Sequence, residues 1–250
     1  MIDVHCHLES KDYDKDREEI IEKCKKELKA IITCCAHPKD FDLTLNLVEK
    51  HKGFVFATIG IHPEYVKEIS KEEKESFLEK IKSNKDKVVG IGETGLDFFW
   101  IKEKEWQERQ KELFIELINF AKELNKPLII HARNAYDEAV KILEQEDAKE
   151  VLMHMFGANY LVKRIIENNW YVSMNTIVLK SKKHKKVIRD TPLERILLET
   201  DSPWLGFGKR NDPLSVKIVA EKIAEIKEVS FEEVDRITTE NTIKFFNLQV

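Results

Sequence analysis

Cysteine is scarce, at four residues in 250, and no two are spaced as CxxC. Cys6, Cys24, Cys34 and Cys35 therefore supply neither a disulfide framework nor a zinc-ribbon spacing. A reduced, cytoplasmic protein is the expectation. Glycine is equally thin, at eight residues. No glycine-rich loop follows any strand-like run, which counts against a nucleotide-binding doubly wound sheet. No apolar run reaches the roughly 18 residues a membrane span needs. Asp3 and His5 sit where a cleavable apolar leader would build up, so no signal peptide is expected. A cationic excess is missing too: 42 Lys and Arg stand against 46 Asp and Glu, for a net charge of −4. That excludes a globally basic nucleic-acid binder and leaves a nuclease or tRNA enzyme open. No low-complexity linker divides the chain, so residues 1–250 are expected to form one domain.

What is present is a folded core and an alternation. Apolar residues make up 42% of the chain, well above the range of disordered sequences. Short β-type runs fall at 2–8, 30–35, 54–61, 88–92, 128–131, 151–153, 170–173 and 196–199. Amphipathic segments separate them. Ser70 with Glu73, and Ser230 with Glu233, have the spacing of capping boxes that open helices. From Trp106 to Leu124 the apolar residues recur at helical spacing, and Pro127 is expected to stop that helix. Eight strand–helix units in a chain of this length predict an α/β fold, a TIM-type (β/α)8 barrel.

Chemistry-bearing residues collect at the carboxyl ends of those runs. His5 and His7 flank Cys6 in the first. Period-two geometry puts both imidazoles on one face, about 6–7 Å apart, with Cys6 on the other. Glu93 follows the fourth run, His131 ends the fifth, His154 the sixth and Asp201 the eighth. In a closed barrel these ends share one mouth, where this fold carries its active sites. Six such groups around one mouth suit a two-metal hydrolase. Imidazole plus carboxylate suits Zn, Mn, Fe, Co or Ni, and Mg prefers a more oxygen-rich set. Each residue also has a plainer reading. A strand-end His can be a hydrogen-bonded structural group, and Asp201, ahead of Ser202 and Pro203, can cap a helix.

Nine segments occur in order: DVHCHLE, IGIHPE, IGETGLDFF, WQERQKELF, PLIIHAR, HMFG, LLETDSPWL, RNDP and TTENTIKFF. Together they resemble the TatD family of metal-dependent deoxyribonucleases, within the amidohydrolase superfamily, over nearly the whole chain. The resemblance implies a barrel with two divalent metal ions. It pairs His5, His7 and Asp201 on the first metal and His131 and His154 on the second, with Glu93 bridging. It implies phosphodiester cleavage of DNA, trimming from the 3′ end, by a water that the metals activate and Asp201 orients or deprotonates. DNA would be a transient substrate, and no stable protein partner is expected.

Substrate contacts are expected at three further residues. His62 in IGIHPE lies just past the third run and is placed to hydrogen-bond a phosphate, as the family suggests, or to act as a loop His. Arg133 can clamp a phosphate bidentately or sit in a structural ion pair. Trp204, three residues after Asp201, is the best base-stacking candidate among the tryptophans. His37 is read as structural. The basic run KSKKHKK, 180–186, is read as a solvated helix start, with a nucleic-acid entry path as its second reading, and Lys209 and Arg210 carry the same ambiguity. Two motifs depart from the family pattern. His154-Met155-Phe156-Gly157-Ala158 lacks the usual Ser, and Trp204-Leu205-Gly206-Phe207-Gly208-Lys209 stands where Tyr and Pro are common. Both departures touch the substrate rim. The alternative function keeps the metals and changes the bond: a carboxylic ester, a lactone or an aminoacyl-tRNA ester.

Overall fold

The computed structural model describes residues 1–250. Eight strands form one sheet in the order β1 to β8: Ile2–Cys6, Ala30–Cys35, Val55–Ile59, Gly90–Asp97, Leu128–Arg133, Val151–Met153, Tyr171–Met174 and Ile196–Leu198. Every neighbouring pair is parallel. Helices alternate with the strands: α1 Arg17–Cys24, α2 Phe41–Lys50, α3 Lys71–Ser83, α4 Lys104–Leu124, α5 Tyr136–Gln145, α6 Val162–Glu167, α7 Lys182–Asp190 and α8 Val216–Lys227. A ninth, α9 Phe231–Phe246, follows α8 directly. This is a (β/α)8 barrel, and all eight expected strands are there. No helix is long and apolar enough to cross a membrane.

Local signals account for several helix ends. Ser70 and Glu73 form the full reciprocal capping box at α3. Ser230 accepts from the Glu233 amide at α9, half of the box expected there. The α4 helix stops at Asn125, whose left-handed backbone (φ 51°) ends it two residues before Pro127.

The barrel interior has an apolar floor and a polar ceiling. Ile2, Val4, Ala30, Ile32, Ile129, Leu152 and Leu197 fill the amino-terminal half, closed from below by Phe245, Phe246 and Leu248 at the end of the chain. A larger apolar layer lies between strands and helices and contains Cys6, Cys24 and Cys35. All four thiols are free and buried.

Two bulges turn the upper barrel polar. In β1, Asp3 to Cys6 spans one residue more than its partners Ile31 to Thr33. Plain alternation would send His5 and His7 to the face opposite Val4. The extra residue shifts the phase, so Val4 fills the floor while both imidazoles point into the mouth. In β4, Ile91 to Thr94 likewise opposes only Leu128 to Ile130. Glu93 sits in that bulge. The sequence bounds the fourth run at 88–92, with Glu93 just after it. The strand runs on to Asp97, so Glu93 lies inside it.

Asp3 closes the barrel between β1 and β8. Its buried carboxylate accepts from the Thr200 amide (3.0 Å), the Thr200 hydroxyl (2.6 Å) and the His5 amide (3.2 Å). The Asp201 amide donates to the His5 carbonyl at 2.9 Å and the His7 amide to Ser202 at 2.7 Å. Gly95 lets β4 and β5 approach beneath the mouth. Its φ is 137°, and a Cβ there would stand 2.0 Å from the His131 carbonyl oxygen. Gly95→Ala is expected to destabilise the fold by about 3 kcal/mol, read from the urea midpoint. An unshifted midpoint would show that the two strands have room to separate.

Candidate metal centre

All six sequence-predicted ligand candidates meet at the carboxyl-end mouth. His5 and Glu93 are held in β1 and β4 and His131 in β5. His7, His154 and Asp201 stand one to three residues past their strands. Glu93 is central. Its Oε2 faces His5 Nε2 at 3.3 Å, and its Oε1 faces His131 Nδ1 at 2.8 Å and His154 Nε2 at 3.7 Å. Asp201 Oδ1 lies 3.6 Å from His7 Nε2 and 3.8 Å from His5 Nε2. The His5 ring stacks on His154 at 4.0 Å. Asp201 reaches inward from a left-handed backbone (φ 56°), and its carbonyl accepts from Trp204, so it serves the turn with its backbone and the centre with its side chain.

The donor set fits cations. Both ring nitrogens of His5 are buried and lack a hydrogen-bond partner, a costly state for an imidazole without a ligand. Separations of 3.3–3.8 Å are too long for good hydrogen bonds. They match ligand–ligand spacing instead: two atoms each about 2.1 Å from a tetrahedral cation stand about 3.4 Å apart. Three groupings lie close enough to share an ion: His5, His7 and Glu93; His5, His154 and Asp201; His62, Glu93 and His131.

His62 is a weaker ligand than that proximity suggests. Its Nδ1 accepts from the Glu64 amide at 3.2 Å, capping the His-Pro turn. That fixes the proton on Nε2, which points at Glu93 Oε1 from 3.5 Å. An N–H there donates a hydrogen bond and offers no lone pair to a metal. His37 caps its own His-Pro turn the same way, through the Lys39 amide, the structural part expected of it.

A layer of carboxylates behind the histidines was not anticipated. Glu9 holds His7 Nδ1 at 2.9 Å, Asp97 holds His131 Nε2 at 2.9 Å and Glu199 holds His154 Nδ1 at 2.8 Å. Each leaves the opposite ring nitrogen facing the centre, the arrangement that orients metal-binding imidazoles. The three acids are themselves held: Glu9 by Thr33, Asp97 by the Phe99 and Trp100 amides, Glu199 by Ser173 and Asn175. The signal was within reach, since each acid shares a motif with a ligand candidate: HLE, ETGLD and LLETD. What it lacked was a reason to point inward.

The electrostatics follow. Burial pushes the His131 and His154 imidazoles down, but Asp97 and Glu93 outweigh it for His131, and Glu199 and Glu93 for His154. The results are about 9 and about 10. Burial alone would raise the Glu93 carboxyl; His62, His154, His131 and His5 instead hold it well below its ordinary value. Asp201 is likewise held low despite burial, first by His7. His5 is lowered, first by burial and then by the charge of His154, which together outweigh the Glu93 carboxylate beside its Nε2. The centre is rich in carboxylates, so His7, His131 and His154 take up protons that a cation would displace.

The rim residues divide. Trp204 lies over His7 with ring centroids 4.6 Å apart and is half exposed. Arg133 makes no ion pair; its guanidinium stacks 3.9 Å over Phe99 and reaches Trp100 at 5.3 Å. The basic run splits: Lys182–Lys186 open α7, but His184 turns inward and is buried. Its ring explains the missing serine in the HMFGA segment, because a Cβ on Gly157 would stand 2.9 Å from His184 Nε2. Arg210 is tied to Asp16 and to the Tyr13 face, which gives it a structural role.

A family model described as TatD related DNase matches residues 2–247. The uncharacterized metal-dependent hydrolase YabD of Bacillus subtilis is 40% identical, covering 99% of this chain and 99% of its own length. The deoxyribonuclease TATDN3 of Homo sapiens is 34% identical, covering 98% of this chain and 94% of its own. Among solved structures, the TatD homologue YJJV of Escherichia coli superimposes with a TM-score of 0.92 at 26% identity, covering 100% of this chain and 98% of that one. A match over nearly the full sequence, on the same barrel, shows that the chain belongs to the TatD-related DNase family of metal-dependent hydrolases.

Proposed function

We propose that residues 1–250 act as one two-metal phosphodiesterase that degrades DNA from the 3′ end. One observation carries the reading: the two oxygens of Glu93 face different histidines, Oε2 towards His5 and Oε1 towards His131 and His154. A carboxylate so placed can bridge two cations. His5 and His7 with Asp201 would hold the first, and His131 Nδ1 with His154 Nε2 the second. A bound divalent pair, Zn, Mn, Mg, Fe, Co or Ni, supplies charge neutralisation at phosphoryl oxygens and an activated water at neutral pH. Asp201, whose carboxyl is held low by His7, would orient that water or take its proton. The Nε2–H of His62 donates to a phosphate oxygen of the substrate. Trp204 offers a face to a base beside the scissile bond, and Arg133, with its charge unpaired by any carboxylate, attracts the backbone. Four reduced, buried thiols suit the cytoplasm.

The test is hydrolysis. Holoenzyme is incubated with 3′-labelled single-stranded DNA, an aminoacyl-tRNA and a lactone panel, with and without chelator. Stepwise loss from the 3′ end, stopped by chelator and restored by a divalent ion, is expected. Turnover of the esters alone would move the function to carboxylic ester hydrolysis on the same centre. Glu199→Gln is expected to weaken metal affinity by about 10- to 100-fold, because an amide no longer matches the His154 Nδ1–H as a charged acceptor. Competition with a chromophoric chelator measures it, and unchanged affinity would remove Glu199 from the centre.

A further inference from the structure

The lip of the mouth between β7 and β8 carries a feature that the metal chemistry does not use. Phe207 projects from the loop after β8 and is 41% exposed. Lys180, at the end of the turn after β7, sets its Nζ 3.9 Å over the Phe207 ring. Arg210 nearby pairs with Asp16, but Lys180 has no carboxylate partner. Segments 176–186 and 202–210 contain Lys180, Lys182, Lys183, Lys185, Lys186, Lys209 and Arg210 and no acid.

The loop is built to present that ring. Leu205 and Phe207 both hold left-handed backbone, at φ 61° and 51°, a conformation that packing normally has to compensate. The Thr176 hydroxyl pins the Leu205 carbonyl at 2.8 Å, which ties the loop to the β7 turn. Phe207 nonetheless stays 41% exposed. The half-exposed Trp204 lies three residues earlier on the same loop, against His7. Two half-exposed aromatic rings therefore share this loop, one against His7 and the other beneath the Lys180 cation.

We propose that Lys180 and Phe207 form a nucleotide subsite on this lip: the ammonium holds a backbone phosphate and the ring stacks a base of a single strand whose scissile phosphodiester lies at the metal centre. The proposal rests on the nucleic-acid reading of the centre. A flat ring beside an unpaired cation suits one nucleotide, a base with its phosphate, and stacking accepts any base. An inorganic phosphate would use the lysine and leave the ring idle.

Binding separates the two contributions. The probe is a short fluorescein-labelled phosphorothioate oligodeoxynucleotide, resistant to cleavage, titrated with holoenzyme and followed by anisotropy across a salt series. Lys180→Met is expected to weaken binding about tenfold at low salt and to flatten the slope of log K against log salt by about 0.7, the signature of one lost phosphate contact on a single strand. Phe207→Ala is expected to weaken binding about tenfold at unchanged slope. On an abasic strand the Phe207→Ala effect should vanish while the Lys180→Met effect remains. Wild-type affinity and slope in both variants would overturn the subsite, as would a Phe207→Ala loss that persists on the abasic strand, since the pair would then only brace the loop. Strand binding with these signatures but without hydrolysis would refute the phosphodiesterase reading and leave the subsite standing. Absence of strand binding by the wild type would overturn both.

Discussion

Glu93→Gln is expected to lower turnover by at least about 10³-fold while the barrel stays folded. The amide keeps the shape of the carboxylate but loses the charge that faces His5, His62, His131 and His154 together. An amide bridges two cations poorly, and a pair spread apart or reduced to one ion no longer clamps attacking and leaving oxygens. A 10³-fold loss corresponds to about 4 kcal/mol of transition-state stabilisation. Steady-state kinetics and elemental analysis check it together: turnover should collapse, and bound metal should fall below the wild-type ratio. Near-wild-type turnover in a variant with full metal content would refute the bridge.

Metal removal is expected to lower the melting temperature far more at pH 10 than at pH 6.5, with the gap widening by about 10 °C. In the metal-free chain, His131 and His154 are held protonated up to about 9 and about 10 by Asp97, Glu199 and Glu93. A folded-state value raised above the unfolded one, near 6.5 for His, gives stability that is complete below pH 6.5. That stability drains away as pH rises through 9 and 10. Cations bind the neutral imidazoles and release those protons, so their affinity grows over the same window. Thermal melts of chelated and metal-loaded protein across this range measure the gap. A constant gap would show that protons and cations do not compete for these nitrogens.

Both predictions draw on parts of the site that differ in how openly the sequence displays them. His5, His7, Glu93, His131, His154 and Asp201 could be gathered because each ends or closely follows an apolar run. A barrel brings all such ends to one mouth, so position along the chain translates directly into position in space. Glu9, Asp97 and Glu199 sit in the same motifs yet stayed out of sight. Their role depends on which way a side chain turns, and the bulges in β1 and β4 reset that parity for Glu9 and Asp97. Plain alternation would have faced Val4 and His5 oppositely, yet both lie inside the barrel, one on its floor and one in its mouth. His62 shows a finer limit. The sequence places it at the mouth, but only the hydrogen bond from the Glu64 amide tells that its inner nitrogen is a donor.

The sequence by itself determined the architecture and the chemical inventory. Eight apolar runs alternating with amphipathic helices leave a parallel barrel as the compact solution, and imidazoles and carboxylates at its strand ends leave cation binding as the work of its mouth. Those properties are local, set by spacing and residue type. Tertiary structure decided what depends on distant segments meeting. It set which oxygen of Glu93 faces which histidine, which acid stands behind each ring, and that His184 of α7 fills the space beside Gly157 where a serine is common. It also brought Lys180 from one loop over Phe207 from the next. A hydrogen bond or a stacked cation needs ångström placement between residues tens to hundreds of positions apart, and no periodicity along the chain encodes that.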